Sequence, residues 1–307
     1  MSVYTELNSE EIRAFLARYT LGDYVSHQGI SAGVENTNYF VTTSEHKLVL
    51  TLFEKHHKEE LPFFFRLAEH LFNEHCKVPQ PFRADNGLFI QELKGKPAVF
   101  NERLHGNHVE ANLSTANTIA EALAAIHNST EHFRATHPHS HGRRWIQAQA
   151  VNIMPQLVSE DQALLKQALA LINDIPADLP SGIIHADLFH DNALFDGDEI
   201  SGIIDWYFAG HDYYALDLAI TMNDWCLDKD GRFDQSRGAA FVAHYQQFRP
   251  LTDIEKHYLP SCQVQSATRF WLSRWLAKAI HQDSTDQITV KDPELMKQLL
   301  TQLIDYT

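Results

Sequence analysis

The hydrophobic pattern changes character about a third of the way along the chain. Ile12, Phe15, Leu16 and Tyr19 recur at helical spacing behind Ser9-Glu10-Glu11, where a capping hydroxyl and two acids suit a helix start. Leu21-Gly22 is the predicted end of that helix. Extended segments are then predicted around residues 24–29, 38–43 and 47–53, the last two joined by a short polar turn. A helix is expected from Glu59 to about His75, with Pro62 near its start, where a missing N–H is tolerated. Residues 88–93 and 97–104 read as two more strands, completing a small antiparallel sheet. His105-Gly106-Asn107 marks a boundary.

Beyond it the chain reads as mainly helical. Ala116, Ile119, Ala120, Leu123 and Ile126 form one stripe, which makes His127 a core histidine by position. Ser159-Glu160-Asp161-Gln162 has the pattern of a capping box, and long helices are predicted over about 239–248, 254–279 and 294–303. The exception is 182–206. Ile183 and Ile184 end a short buried strand, a polar run from His185 to Asn192 leaves it, and short strands flank the turn Asp196-Gly197-Asp198.

The chain has 307 residues, enough for about two domains, expected at 1–104 and 105–307. With 44% hydrophobic and 21% charged residues it has a globular composition. The net charge of −15 argues against a nucleic-acid or anionic-membrane partner, since both require a basic surface. Cys76, Cys226 and Cys262 lack paired spacing and read as small buried hydrophobes of a reducing compartment. No basic leader followed by an apolar stretch opens the chain and no run of about 18 apolar residues occurs, so a cytoplasmic location is expected. His137-Pro-His139-Ser-His141 reads as a polar loop rather than a metal site, having no Cys or carboxylate partners beside it.

The chemistry concentrates in 182–206. A hairpin returns the chain to its start, so Asn192, before the outgoing strand, should lie beside Asp205, after the returning one. One cation can then bridge two oxygen-bearing side chains, with Asp187 at the rim of the same site. Phosphoryl transfer needs such a set, because an acid must orient the attacking hydroxyl while a metal neutralises phosphate charge.

His185-x-Asp187-x-x-x-x-Asn192 followed by Ile203-Ile204-Asp205-Trp206 resembles the signature of the aminoglycoside phosphotransferase and choline kinase superfamily. That resemblance implies an α+β, bilobal protein-kinase-like fold, with a small antiparallel-sheet lobe that binds nucleotide and a mainly helical lobe that carries catalysis and the acceptor. It implies ATP and Mg²⁺, with Asp187 and His185 catalytic, Asn192 and Asp205 on the metal, and Asp217 bracing the two loops at the start of the next helix. Asp212 is a candidate cap for that helix.

The loop 29–38, with Ser31, Gly33, Asn36 and Asn38, occupies the place that covers the phosphates in such folds, although it does not spell G-x-G-x-x-G. Thr51 stands where relatives usually carry a phosphate-binding Lys, so Lys47 or Lys55 is expected to reach in, or loop amides and Mg²⁺ to carry the load. Glu59 and Glu60 suit a helix N-terminus. Arg103 and Leu104 fall at the hinge, where backbone groups would meet adenine.

Two helical stretches bear on the acceptor. Asn223-Asp224-Trp225 offers a polar pair beside an indole, and Arg269, Trp271 and Arg274 place two guanidinium groups on an otherwise apolar helix. Together they suit a zwitterion, with Arg on a carboxylate and Asp224 on an amine, or else the arginines pair with acidic neighbours. With Glu35-Asn36-Thr37-Asn38-Tyr39-Phe40, Val49-Leu50-Thr51-Leu52-Phe53-Glu54, Glu60-Leu61-Pro62-Phe63-Phe64 and Leu216-Asp217-Leu218-Ala219-Ile220, they resemble the homoserine kinase branch, which Thr51 also fits. The resemblance implies phosphorylation of the L-homoserine hydroxyl, with ATP and L-homoserine as the small-molecule partners. Kinases of choline, methylthioribose or aminoglycosides share the core, and a nucleotide-binding regulator without turnover is the alternative outside catalysis. A protein kinase is disfavoured, since its HRD, DFG and APE elements are missing as such.

Overall fold

In the computed structural model the described residues are 5–30, 36–56, 58–281 and 291–307. The chain forms two compact units, divided between His105 and Gly106.

The first unit is built on an antiparallel five-stranded sheet of β1 (Tyr24–Ile30), β2 (Asn36–Thr43), β3 (Lys47–Phe53), β4 (Gln91–Leu93) and β5 (Lys96–Glu102), ordered β1-β2-β3-β5-β4. Strand alternation decides its two faces. Tyr39, Val41, Leu48, Leu50, Leu52, Ala98 and Phe100 point to one side and bury against Ile12, Phe15 and Leu16 of α1 (Ser9–Leu16). The other face carries Asn38, Phe40, Val49, Thr51 and Val99, with Thr51 opposite both Asn38 and Val99. Helix α2 (Leu61–Asn73) packs near Phe53 through Phe65, ring centroids 6.0 Å apart.

Three local expectations change here. The cap of α1 is Asn8, whose side chain accepts from the Glu11 N–H while Glu11 reaches back to the Asn8 N–H, so Ser9 is already helical. The helix stops at Leu16, and Tyr19 is buried from the following turn against Phe15 and Phe100. Strand β4 begins at Gln91 rather than 88, because the preceding residues close a turn: Gly87 takes φ 80° and the Ala84 N–H donates to Leu88 O.

The second unit contains α3 (Leu113–Thr130), α4 (Arg143–Ile153), α5 (Ser159–Asp174), α6 (Tyr214–Trp225), α7 (Gln235–Phe248), α8 (Asp253–His281) and α9 (Pro293–Tyr306). Between α5 and α6 lie two antiparallel pairs: β6 (Ser181–Ile184) with β9 (Gly210–Tyr213), and β7 (Ala193–Asp196) with β8 (Glu199–Ile203).

Ser159 is the first residue of α5 and Val158 holds the cap position without a side-chain bond, so the predicted capping box does not form. Helix α4 has a weak signature, with only Ile146, Ala150 and Ile153 buried and Gly142 as its cap. Asp212 does not cap α6. It lies in β9 and accepts from Tyr213 N–H while pairing with His139 Nδ1 at 2.8 Å. The 137–141 segment pairs with β9 through the His211 N–H on His137 O, and among the described residues no group of three His, Cys, Asp or Glu can hold a metal. Nor is any described helix long and apolar enough to cross a membrane.

Candidate active site

The site is assembled where β6 runs out beside β9. Because β9 leads directly into α6, the first turn of that helix sits beneath the polar loop that leaves β6. Asp217, fully buried there, accepts from the His185 N–H at 2.8 Å and the Ala186 N–H at 2.7 Å. Burial alone would raise its carboxyl, but the hydrogen bonds from His127 and from the His185 backbone N–H oppose that, and the carboxyl is held below the ordinary range. His127 is itself held neutral by burial, so its Nε2–H donates to Asp217 at 3.1 Å and its Nδ1 accepts from Tyr245 OH at 2.6 Å.

His185 belongs to the frame of the site rather than to its reacting face, which corrects its expected catalytic role. Its ring is fully buried against Trp206, Nδ1 accepts from the Asp187 N–H, and Nε2 donates to Ile204 O at 3.1 Å. That last bond ties the loop to the strand returning from the hairpin. Ala186, between His185 and Asp187, takes a left-handed φ of 65°, which turns the Asp187 side chain out of the strand direction.

The β7–β8 hairpin closes as its turn composition predicts. Asp196 faces Glu199, Gly197 adopts φ 62°, and Ala193 faces Ile203. The Ile204 N–H donates to Asn192 O at 3.0 Å, so Asn192 and the residue after Ile204, Asp205, end up at the same edge. Asn192 uses its amide Nδ2 on Asp187, donating to the backbone O at 2.7 Å and to Oδ2 at 3.0 Å. Its side-chain oxygen is thereby turned away from Asp187. Asp205 is exposed, with a left-handed φ of 63°. Burial pushes the Asp187 carboxyl up to about 7, Arg269 opposes that rise, and Asp205 and Asp191 add to it.

The expected acceptor residues divide sharply. Asn223 is buried, with its amide fully engaged by Gln263 of α8 at 2.9 and 3.1 Å, and Trp271 is buried in the core. Neither presents a surface to a ligand. Arg269 is also buried, at 3% exposure: its guanidinium lies over Phe208 and Phe270, donates to Ala186 O, and comes within 4.0 Å of Asp187 Oδ1. Asp224 and Arg274 are different. Asp224 Oδ2 accepts from the His190 N–H at 2.7 Å and pairs with its Nδ1 at 2.8 Å, and Arg274 is partly exposed with Asp224, Asp191 and Asp187 as charged neighbours.

His190, Asp191 and Lys291 complete this rim without having been singled out from the sequence. Asp191 pairs with Lys291 Nζ at 2.5 Å, and the Asp224 hydrogen bond, more than burial opposes it, raises the His190 pKa. His190-Asp191 lie inside the signature loop, so their position was a usable signal; nothing near Lys291 offered one.

In the sheet unit, Thr51 Oγ1 donates to Asn38 Oδ1 at 2.8 Å across β2 and β3. Lys47 and Lys55 are exposed, whereas Lys96 bonds Glu54 and Thr5 Oγ1 and Lys94 pairs with Glu11. Asn36 is buried, with no partner to its Oδ1 among the described residues. Arg103 uses its backbone N–H on Lys47 O at 2.9 Å and lays its guanidinium over Phe40, so of the hinge groups its N–H is already committed. Leu104 lies two residues beyond the end of β5. Ser31 and Gly33 lie outside the described residues. Glu60 holds the cap position of α2 without a side-chain bond.

Residues 26–251 match the phosphotransferase enzyme family, APH. The chain is 40% identical over 282 residues to a homoserine kinase of Polaromonas naphthalenivorans, covering 89% of each. It is 39% identical over 308 residues to the homoserine kinase of Neisseria meningitidis serogroup B, covering 99% of this chain and 100% of that one. Among solved structures, an amicoumacin kinase in complex with AMP-PNP, Ca²⁺ and Ami superposes with a TM-score of 0.72 at 14% identity, over 98% of this chain and 94% of that one. The choline kinase of Streptococcus pneumoniae gives 0.67 at 15% identity, over 97% and 99%. The fold is thus α+β and of the protein-kinase-like type shared by these enzymes, and the chain belongs to the phosphotransferase enzyme family.

Proposed function

We propose that the protein transfers the γ-phosphoryl group of ATP to the side-chain hydroxyl of L-homoserine, giving O-phospho-L-homoserine and ADP. The observation that carries this reading is the hairpin-held set of Asp187, Asn192 and Asp205, in a chain about 40% identical to homoserine kinases over most of its length. A cytoplasmic location and a step in threonine biosynthesis belong to the same reading.

Asp187 is the base. Raised to about 7 by burial, it is poised to accept a proton near neutrality. The acceptor hydroxyl loses its proton to this carboxylate as its oxygen bonds to the γ-phosphorus; the bond from that phosphorus to the β–γ bridging oxygen breaks, and ADP departs with the electron pair.

The donor set at Asn192 and Asp205 fits Mg²⁺. Both offer oxygen, the Asn192 amide nitrogen is already directed to Asp187, and Asp205 is exposed. Two protein ligands suffice for an ion that keeps waters and binds through substrate phosphates. When bound, Mg²⁺ supplies charge neutralisation on the nucleotide phosphates.

We assign nucleotide binding to Ser31, Gly33, Asn36, Asn38, Thr51, the Arg103 carbonyl and Leu104 of the sheet unit. At the acceptor, Arg274 receives the carboxylate and Asp224 the ammonium group.

The test is Mg²⁺-dependent ADP release with L-homoserine, L-serine, choline and methylthioribose beside a blank without acceptor. Release selective for L-homoserine supports the assignment. Preference for another acceptor would move it within the family, and ATP binding with no release would reject catalysis.

A further inference from the structure

Arg269 lies on α8 against the loop that carries Asp187. It is 3% exposed, and its guanidinium is held between the rings of Phe208 and Phe270, at 5.0 and 4.1 Å from their centroids. Its Nη1 donates to the carbonyl of Ala186, 83 residues away in sequence, and comes within 4.0 Å of Asp187 Oδ1. A buried guanidinium facing a carbonyl is a poor source of stability, since an apolar side chain of similar length would stack between the same rings without losing hydration. Its geometry points to a different use.

Ala186 is the residue that the loop bends on. It takes φ 65°, a left-handed conformation that is unfavourable for an L-residue with a Cβ. The determinants are visible on both sides. Asp217 accepts the N–H groups of His185 and Ala186, and Arg269 donates to the Ala186 carbonyl. The peptide that carries Asp187 is therefore pinned from α6 at one end and from α8 at the other. Releasing the carbonyl lets Ala186 relax to a right-handed or extended conformation, which swings the Asp187 carboxylate off its line.

We propose that Arg269 is a positioning residue, which holds the left-handed turn at Ala186 and so fixes the direction of the Asp187 side chain. It does not bind the acceptor. This rests on the reading of Asp187 as the base, and two readouts keep the failures apart.

The first readout is steady-state kinetics of Arg269→Met with L-homoserine. The expected result is a fall in kcat of roughly 50-fold or more, with KM for L-homoserine and for ATP within about threefold of the parent. A tenfold rise in KM for L-homoserine at retained kcat would make Arg269 an acceptor ligand and overturn the proposal, as would unchanged kcat. The second is hydrogen–deuterium exchange over residues 183–195, which needs no turnover. Faster exchange there, with the rest of the protein unchanged, supports the pin, and parent-like exchange overturns it even if L-homoserine proves not to be the acceptor. Adding Ala186→Gly, which accepts positive φ readily, should recover roughly fivefold of the kcat lost in Arg269→Met. No recovery would mean that the turn at Ala186 is not what Arg269 holds. Should the Met variant not fold, Arg269→Gln, too short to reach the carbonyl, carries the same measurements.

Discussion

The two units bury different things. In the sheet unit the buried polar side chains among the described residues are Asn36, Thr37, Thr43, Thr51 and Gln91, none of them an acid or a cation, and the core is aliphatic and aromatic. In the helical unit His127, His139, His185, Asp217, Arg249, Glu255 and Arg269 are all buried. They form connected runs. Arg249 donates to Glu255 and to Tyr245 OH, Tyr245 OH donates to His127, and His127 donates to Asp217. Burying such groups is no efficient route to stability. All but His139, which pairs with Asp212 of β9, lead to the loop that carries Asp187, so the difference teaches that the helical unit accepts a polar interior in exchange for a fixed loop, whereas the sheet unit is stabilised by apolar packing.

The largest effect that would break this contrast is at its centre. Asp187→Ala should lower turnover by about a thousandfold or more while leaving the Mg-ATP dissociation constant, measured by calorimetry, within about threefold. A loss below tenfold would remove Asp187 as the base.

Next comes Asp217→Asn. It deprives the His185 and Ala186 N–H groups and His127 of a shared carboxylate, and should destabilise by about 3–5 kcal/mol in urea unfolding. The loss should reach kcat as well. Leu50→Ala, in the sheet core, should cost a comparable 2–5 kcal/mol, roughly, and leave kcat of the folded enzyme unchanged. All five tryptophans, Trp145, Trp206, Trp225, Trp271 and Trp275, lie in the helical unit, so their fluorescence reports on that unit. Equal kcat losses in the two variants would erase the contrast.

The pH profile sharpens it. Burial raises the Asp187 carboxyl to about 7, so the basic form accumulates as pH rises through that value. The ratio kcat/KM should therefore climb about tenfold per pH unit below 7 and level above it. A plateau reaching down to pH 5 would show that burial does not govern this group. The smallest effect is expected in the sheet unit: Thr51→Val removes one neutral hydrogen bond to Asn38, costing about 1 kcal/mol, with KM for ATP rising by less than about threefold and kcat unchanged.

What the sequence revealed follows physical range. The hairpin 193–203 was legible because its turn residues act on their own backbone, and with it came the proximity of Asn192 and Asp205. Asp217 was legible through a signature of adjacent residues. Asn223 and Trp271 misled because composition shows that a side chain is polar or aromatic and not which neighbour consumes it; Gln263 lies 40 residues from Asn223 and takes both ends of its amide. The cap of α1 shifted by one residue, from Ser9 to Asn8, because both side chains are able caps and only the chain path selects between them.

By itself the sequence determined the periodicity of the strands and helices, the β7–β8 turn and the residue types of a phosphoryl-transfer site, all set by interactions within a few residues. Tertiary structure decided which buried histidine is a frame and which arginine is reachable. Arg269 and Arg274 are five residues apart on one helix, yet one is sealed between Phe208 and Phe270 against Ala186 and the other remains partly exposed among acids. Burial and long-range charge depend on elements that meet only when the chain is folded, and those two quantities fix what an ionisable side chain does.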